Sequence, residues 1–168
     1  MNNIIRFIRP LVYILFLLPL SSLACVDSTP EVAHMKNYQL GLTNDLGETR
    51  RIEVRIADDG KERAAGFQYL CAAPKVLPIL FIFPEQRRVG FHMRNVQFSL
   101  DIGFFDDHGQ LKEVLTMVPG NKLYFPRQSF RYALEAPAGF FKDRFVTAKS
   151  SQLHIAKNPN KAGSVSIP

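Results

Sequence analysis

Residues 100–118 read LDIGFFDDHGQLKEVLTMV. Leu100, Ile102 and Phe104 alternate with Asp101, Gly103 and Phe105, a period of two that places the two sets on opposite faces of an extended strand. Asp106-Asp107-His108-Gly109 is made of turn formers, and residues 111–118 resume as a strand. The stretch predicts a β-hairpin, and the same pattern recurs on either side of it.

Upstream, Tyr38, Leu40 and Leu42 alternate with small or polar residues, as do Ile52, Val54 and Ile56 with Arg51, Glu53 and Arg55. With Asp45-Leu46-Gly47 as a turn between them, these runs predict a first hairpin. One helical stretch follows at 59–70. Asp59 and Glu62 stand at capping-box spacing, and Ala64, Phe67 and Cys71 fall on one face at i, i+3 and i+7. Pro74 and Pro78 bracket a connection, 79–83 is an apolar run of strand length that Pro84 should stop, and Val89, Phe91 and Met93 alternate again. Downstream, Tyr132 and Leu134 alternate with Arg131, Ala133 and Glu135, and 138–141 suits a short helical turn.

Many short strands and one helix predict a mainly β (α+β) fold: a single compact antiparallel β-barrel or sandwich-like domain over 37–157, partly covered by one or two short helices. Its strands should pair mostly with sequence neighbours, and the pattern leaves barrel and sandwich open. Residues 25–36 are expected to be a flexible lead, and 158–168, NPNKAGSVSIP, a disordered tail.

The first 24 residues have the three parts of a secretory signal. Arg6 and Arg9 supply positive charge, residues 11–20 (LVYILFLLPL) are an apolar core too short for the roughly 20 residues a spanning helix needs, and Ser22-Leu23-Ala24 offers small residues for cleavage. Cleavage after Ala24 would start the exported chain at Cys25, in the periplasm or outside the cell. That cysteine has competing uses. Lipidation would tether the domain to a membrane, although Ser22 stands where lipoprotein signals usually carry Leu; a disulfide to Cys71, the second of the two cysteines, suits an oxidising compartment. A buried free thiol at Cys71 stays open beside the disulfide.

Removing residues 1–24 of 168 leaves about 144, enough for one domain with its own core. The net charge of +6 falls to +4 without Arg6 and Arg9, a modest excess that is no nucleic-acid-binding signature. An exported basic domain meets anionic envelope polymers, lipid head groups or envelope proteins, and these are the expected partners.

Catalytic motifs are missing: no glycine-rich phosphate loop, no Gly-x-Ser-x-Gly, no His-Glu-x-x-His and no paired-cysteine zinc spacing. His34, His92, His108 and His154 are scattered singly, so neither a metal nor a cofactor is expected. Two constellations stand out. Arg88, His92 and Arg94 share one strand face with Arg87 adjacent, a cationic strip suited to carboxylate, sulfate or phosphate, or else a solvated face balanced by Glu85 and Asp106-Asp107. Asp101 sits among Leu100, Ile102 and Phe104, where a carboxylate is either poised with a perturbed pKa or locked internally, with Asn95, Ser99 and Arg131 as candidate partners.

The run Phe91-His92-Met93-Arg94-Asn95, then Leu100-Asp101-Ile102 and Phe104-Phe105-Asp106, resembles the Phe-Trp-Met-Lys/Arg-Asn … Leu-Asp-Ile signature of the uncharacterised prokaryotic family known as domain of unknown function number 192. Glu62-Arg63-Ala64-Ala65-Gly66-Phe67 is similar to the family's Glu-Arg-x-x-Gly-Leu helix, residues 79–84 to its Met-Leu-Phe-x-Phe-x strand, and residues 132–139 to its Tyr-Val-Leu-Glu-Val-x-x-Gly segment. The four occur in family order over residues 52–145. The resemblance implies a compact β-rich domain, often exported or tethered, with no established activity. The chain departs from the pattern at His92, where the family has Trp, and in the 119–130 loop.

Two functions are consistent with these residues. The first is a non-catalytic module binding an anionic envelope glycan, lipid or partner protein through Arg88, Arg94 and Arg131, with Asn95 and Asp101 shaping the site. The alternative is a hydrolase or lyase acting on an envelope polymer with Asp101 as general acid or base and His92 as its partner, which requires both groups in one cleft.

Overall fold

The computed structural model describes residues 25–71 and 76–155. The expected signal peptide at 1–24, the expected tail at 158–168 and Pro74 lie outside the described residues.

In chain order the elements are α1 Pro30–His34, β1 Lys36–Thr43, β2 Thr49–Ala57, α2 Gly60–Ala65, β3 Ile79–Arg87, β4 Phe91–Met93, β5 Leu100–Phe105, β6 Leu111–Met117, β7 Gly120–Tyr124, β8 Phe130–Pro137 and β9 Gln152–His154, with a 3-10 turn at Lys142–Arg144. Seven strands form one sheet in the order β6-β5-β8-β3-β2-β1-β9, and β4 pairs with β7 in a second, smaller sheet. Both expected hairpins are present: β1 and β2 pair from Lys36↔Ile56 to Thr43↔Thr49, and β5 and β6 from Leu100↔Met117 to Phe105↔Leu111.

One pair departs from the expected antiparallel arrangement: β2 and β3 are parallel, with Arg55 opposite Ile79. Parallel neighbours need a crossover, and α2 with the residues after it provides one. Non-neighbour pairing is also extensive: β8 inserts between β3 and β5, bringing residues 132–135 beside both 79–82 and 102–105.

α2 is shorter than the periodicity predicts. The capping box is made, with Glu62 N–H donating to Asp59 Oδ1 at 2.8 Å and the Glu62 side chain accepting from the Asp59 backbone. The helix stops at Ala65 because Gly66 turns to φ 48°, and Phe67 is buried from a turn instead of a helix face. Pro84 does not stop β3, which runs on to Arg87. Its pairing with β8 shifts between Ile82 and Arg87, and this bulge accommodates a residue with no N–H to give.

Residues 25–36 are an ordered, pinned segment, not a flexible lead. Cys25 and Cys71 form a disulfide, Val26 N–H donates to Tyr69 O at 2.8 Å, and Cys71 N–H returns a bond to Val26 O at 2.9 Å. Thr29 caps α1, and Val32 and Met35 pack into the core. The disulfide excludes the free-thiol reading of Cys71.

The large sheet curls and is apolar on both faces, which settles the choice between barrel and sandwich as a half-barrel. On one face Ile79, Phe81, Leu100, Ile102 and Phe104 meet Phe67 and the inner residues of the small sheet, Phe91 and Met93. On the other, Leu40, Val54, Leu80, Phe105 and Leu134 enclose Phe141 and Leu153. Phe91, Phe104 and Phe130 stack edge-on or tilted at centroid spacings of 4.9–5.9 Å, each pair adding about 0.5–1.5 kcal/mol beyond burial. The sheet's ends approach each other where Leu111 N–H donates to Ser151 O and Leu153 N–H to Gly109 O. Gly109, at φ 77°, is required there: a Cβ would stand 2.1 Å from the Leu153 carbonyl oxygen.

Candidate functional site

β4 alternates as its sequence suggests. Phe91 and Met93 face the core, so His92 points to the other side, opposite Leu123 of β7. Leu123, Phe125 and Val118 are each about half exposed. The Phe125 ring lies on Gly90, where a Cβ would be 2.7 Å from it. Arg88 and Arg94 flank β4 and are exposed, with Arg88 Nε donating to Pro126 O at 2.8 Å. Lys122 sits 4.9 Å from the Tyr124 ring centroid. Exposed Arg88, Arg94 and Lys122 and half-exposed Val118, Leu123 and Phe125 thus all belong to β4, β7 or the residues near them in the chain.

The other expected ligand-binding residues are engaged within the protein. Arg131, half-buried on β8, has its guanidinium 6.0 Å from the Tyr132 ring centroid. Asn95, at φ 61°, is a latch: its Nδ2 donates to Gln68 Oε1 at 3.1 Å and to the Tyr69 hydroxyl at 2.7 Å, and its carbonyl accepts from Tyr69 N–H at 2.7 Å.

Asp101 is buried and locked. Oδ1 accepts from the Thr116 hydroxyl at 2.7 Å and Oδ2 from Gly139 N–H at 2.8 Å. Thr116 and Gly139, not Asn95, Ser99 or Arg131, satisfy the carboxylate, which ties β5 to β6 and to the turn after β8. Strand alternation puts Asp101 on the side of Phe105, away from Leu100 and Ile102; Gly103, of the same parity, lies against the Phe141 ring. His92 lies beyond the opposite face of the sheet, so the acid–base pair of the enzyme reading has no common cleft.

On the His92 side a cavity of about 290 Å³ opens between the end of α2, β3, β4 and β8. Phe67, Phe81, Phe83 and Phe91 supply aromatic wall, and Glu135 reaches in from β8. Glu135 shares its strand face with Ala133, stands opposite Ile79 and Ile102, and is only 4% exposed. Burial alone pushes its carboxyl pKa up to about 8. Gly66 faces it across a gap: a Cβ there would lie 3.6 Å from Glu135 Oε2. At the rim, Arg63 is turned onto backbone, donating to the carbonyls of Asp58 and Ile82, with its guanidinium 5.2 Å from the Phe83 ring centroid. His92 also borders the cavity, and its Nδ1 is buried with no hydrogen-bond partner.

Sequence reasoning missed Glu135 as a functional candidate because alternation assigns it, with Arg131 and Ala133, to the polar side of its strand. One signal was present: residues 62–67, 79–84, 91–95 and 132–139, the four segments that resemble a single family, all contribute to this cavity. Among the described residues, no three His, Cys, Asp or Glu are grouped to hold a metal ion, and no helix is long and apolar enough to cross a membrane.

The architecture recurs in solved structures. A Sinorhizobium meliloti 1021 protein, provisionally described as a transcription regulator, superimposes with a TM-score of 0.66 at 26% identity, over 71% of this chain and 93% of its own. A Novosphingobium aromaticivorans DSM 12444 protein of unknown function superimposes with a TM-score of 0.67 at 16% identity, over 79% of this chain and 94% of its own, a likeness of fold. No curated protein matches the chain. The family model described as "Uncharacterized ACR" matches residues 42–153, which include every wall of the cavity. The chain belongs to domain of unknown function family number 192.

Proposed function

We propose that the protein is an exported, non-catalytic binding module that docks on anionic lipid head groups of the cell envelope through the outer side of the β4–β7 sheet. The observation that carries this reading is the combination of half-exposed Val118, Leu123 and Phe125 with Arg88, Arg94 and Lys122 around one two-stranded sheet. Near an anionic membrane each such cation contributes about 1 kcal/mol, and apolar side chains beside them gain by entering the head-group layer. A glycan partner would use the same charges but gives less reason for three apolar side chains to face water.

Two further observations support the reading. The Cys25–Cys71 disulfide suits an oxidising compartment, and it occupies the sulfur that lipidation would need. Attachment of a disulfide-bonded chain would therefore rest on its surface. The hydrolase alternative loses its acid, because Asp101 is held by Thr116 and Gly139 on the far side of the sheet from His92.

Co-sedimentation with phosphatidylglycerol-containing and pure phosphatidylcholine vesicles, at low and high salt, tests the proposal. Retention should require phosphatidylglycerol, fall with salt, and weaken in both Arg88→Ala/Arg94→Ala and Leu123→Ala/Phe125→Ala proteins. Equal retention by all three proteins, or retention on isolated cell-wall polymer and not on vesicles, overturns it.

A further inference from the structure

Glu135 raises a problem that the lipid-facing surface does not answer. A buried carboxyl group costs free energy unless it is hydrogen-bonded or paired. Asp101, the other buried aspartate or glutamate, accepts two bonds. Among the described residues nothing hydrogen-bonds or ion-pairs with the Glu135 carboxyl, although it lines a cavity of about 290 Å³. That space is near the lower end of small-molecule pockets.

The cavity walls indicate what would complete the site. The rings of Phe67, Phe81, Phe83 and Phe91 supply π-electron surface, and such surface attracts cations. Phe83 already shows that preference, with the Arg63 and Arg87 guanidinium groups 5.2 and 5.4 Å from its centroid. Arg63 makes no ion pair with Glu135; its guanidinium donates to the carbonyls of Asp58 and Ile82. Gly66 keeps the space beside the carboxyl open, because a side chain there would stand between Glu135 and the Phe81 ring.

We propose that this cavity is a binding site for a small organic cation, a primary ammonium group on a short apolar stem, with Glu135 as its counter-ion and the phenylalanine rings as its walls. The ammonium donates to the Glu135 carboxylate, and the stem displaces water from the apolar lining. Three titratable or charged groups line the cavity: Glu135 from β8, Arg63 from α2 and His92 from β4. Binding requires the ionised carboxylate, so a ligand already protonated in solution should expel the proton that burial keeps on Glu135. Protonated His92 would oppose the ligand, so the two residues must be separated by mutation.

The experiment is calorimetric titration of the purified protein with n-butylammonium, beside n-butanol and butyrate as neutral and anionic probes of similar size. Butylammonium should bind saturably and most tightly, with affinity rising from pH 6 to pH 8.5 and roughly 0.9 proton released per ligand at pH 7, read from buffers of different ionisation enthalpy. Glu135→Gln, checked for folding by its thermal melt, should weaken binding about tenfold or more. His92→Gln should keep the rise with pH. Tighter binding of butyrate or butanol, no saturable binding of butylammonium, undiminished binding in Glu135→Gln, or loss of the pH dependence in His92→Gln each overturns the proposal. Vesicle retention of Glu135→Gln should match the parent protein, which keeps this site distinct from the lipid-facing surface.

Discussion

Glu135 couples the folded state to pH through burial alone. Its carboxyl titrates near 4.5 when exposed and near 8 in the folded chain. Below pH 4.5 both states hold the proton; between those values the folded state keeps a proton that the unfolded state has released. Stability must therefore fall as pH rises through this window, by about 1.4 kcal/mol per unit, and level off above pH 8. Glu135→Gln removes the effect. In urea unfolding the variant should match the parent near pH 4.5 and exceed it by roughly 4 kcal/mol at pH 8.5, and an advantage that does not grow with pH would show the carboxylate to be solvated or paired. Asp101 and Glu135 also show where residue-level reading succeeds and fails. Asp101 is legible as a carboxylate among apolar neighbours, but its partners, Thr116 and Gly139, come from positions that only strand pairing and the turn after β8 bring near. Glu135 looks like the solvent-facing member of an alternating strand. In a sheet buried on both faces, parity separates two interiors, not inside from outside.

At the scale of elements, α2 is the one whose stability rests most on its own end. None of its six residues is buried, so the helix depends on Asp59 accepting from Glu62 N–H and on Glu62 accepting from Asp58 N–H at 3.0 Å. Asp59→Ala should cost about 1 kcal/mol, and Asp59→Ser, which can still cap, much less; equal losses in the two variants' denaturation midpoints would mean that the cap contributes little. The sequence shows this cap and both hairpins plainly, because each is specified by residues close along the chain. β7 and β9 escape it for lack of such a signal. Gly120-Asn121-Lys122-Leu123-Tyr124 is mostly exposed and pairs with β4 from about thirty residues away. Gln152-Leu153-His154 is too short to show alternation, and its docking beside β1 and the Gly109 turn depends on the curl of the whole sheet. The candidate cavity shares that obscurity, being assembled from α2, β3, β4 and β8.

In the whole molecule the two ends of the described chain are held by different means. Near the C-terminal end, Asp45 in the β1–β2 turn accepts from Ser151 at 2.8 Å and also bonds Thr147, while β9 pairs with β1. At the N-terminal end the disulfide joins residues 46 positions apart and fastens residues 25–35 beside the segment that follows α2. Val32 and Met35 bury their side chains beside that fastening, and the five-residue α1 is far too short to persist alone. A loop of this length should contribute about 3–4 kcal/mol by restricting the unfolded chain. Replacing Cys25 and Cys71 together by Ser should therefore lower unfolding free energy by about that amount. Hydrogen exchange should rise first at residues 26–35 and 69–71, with β5 and β8 protected to the end, because those two strands have a hydrogen-bonded neighbour on each side and apolar clusters above and below. A loss under about 1 kcal/mol with uniform exchange would instead mean that packing of Val32 and Met35 already pins the segment. The large, localised outcome would make the disulfide the clamp on the α2 side of the molecule, where Tyr69 and Asn95 latch the segment next to the Glu135 cavity.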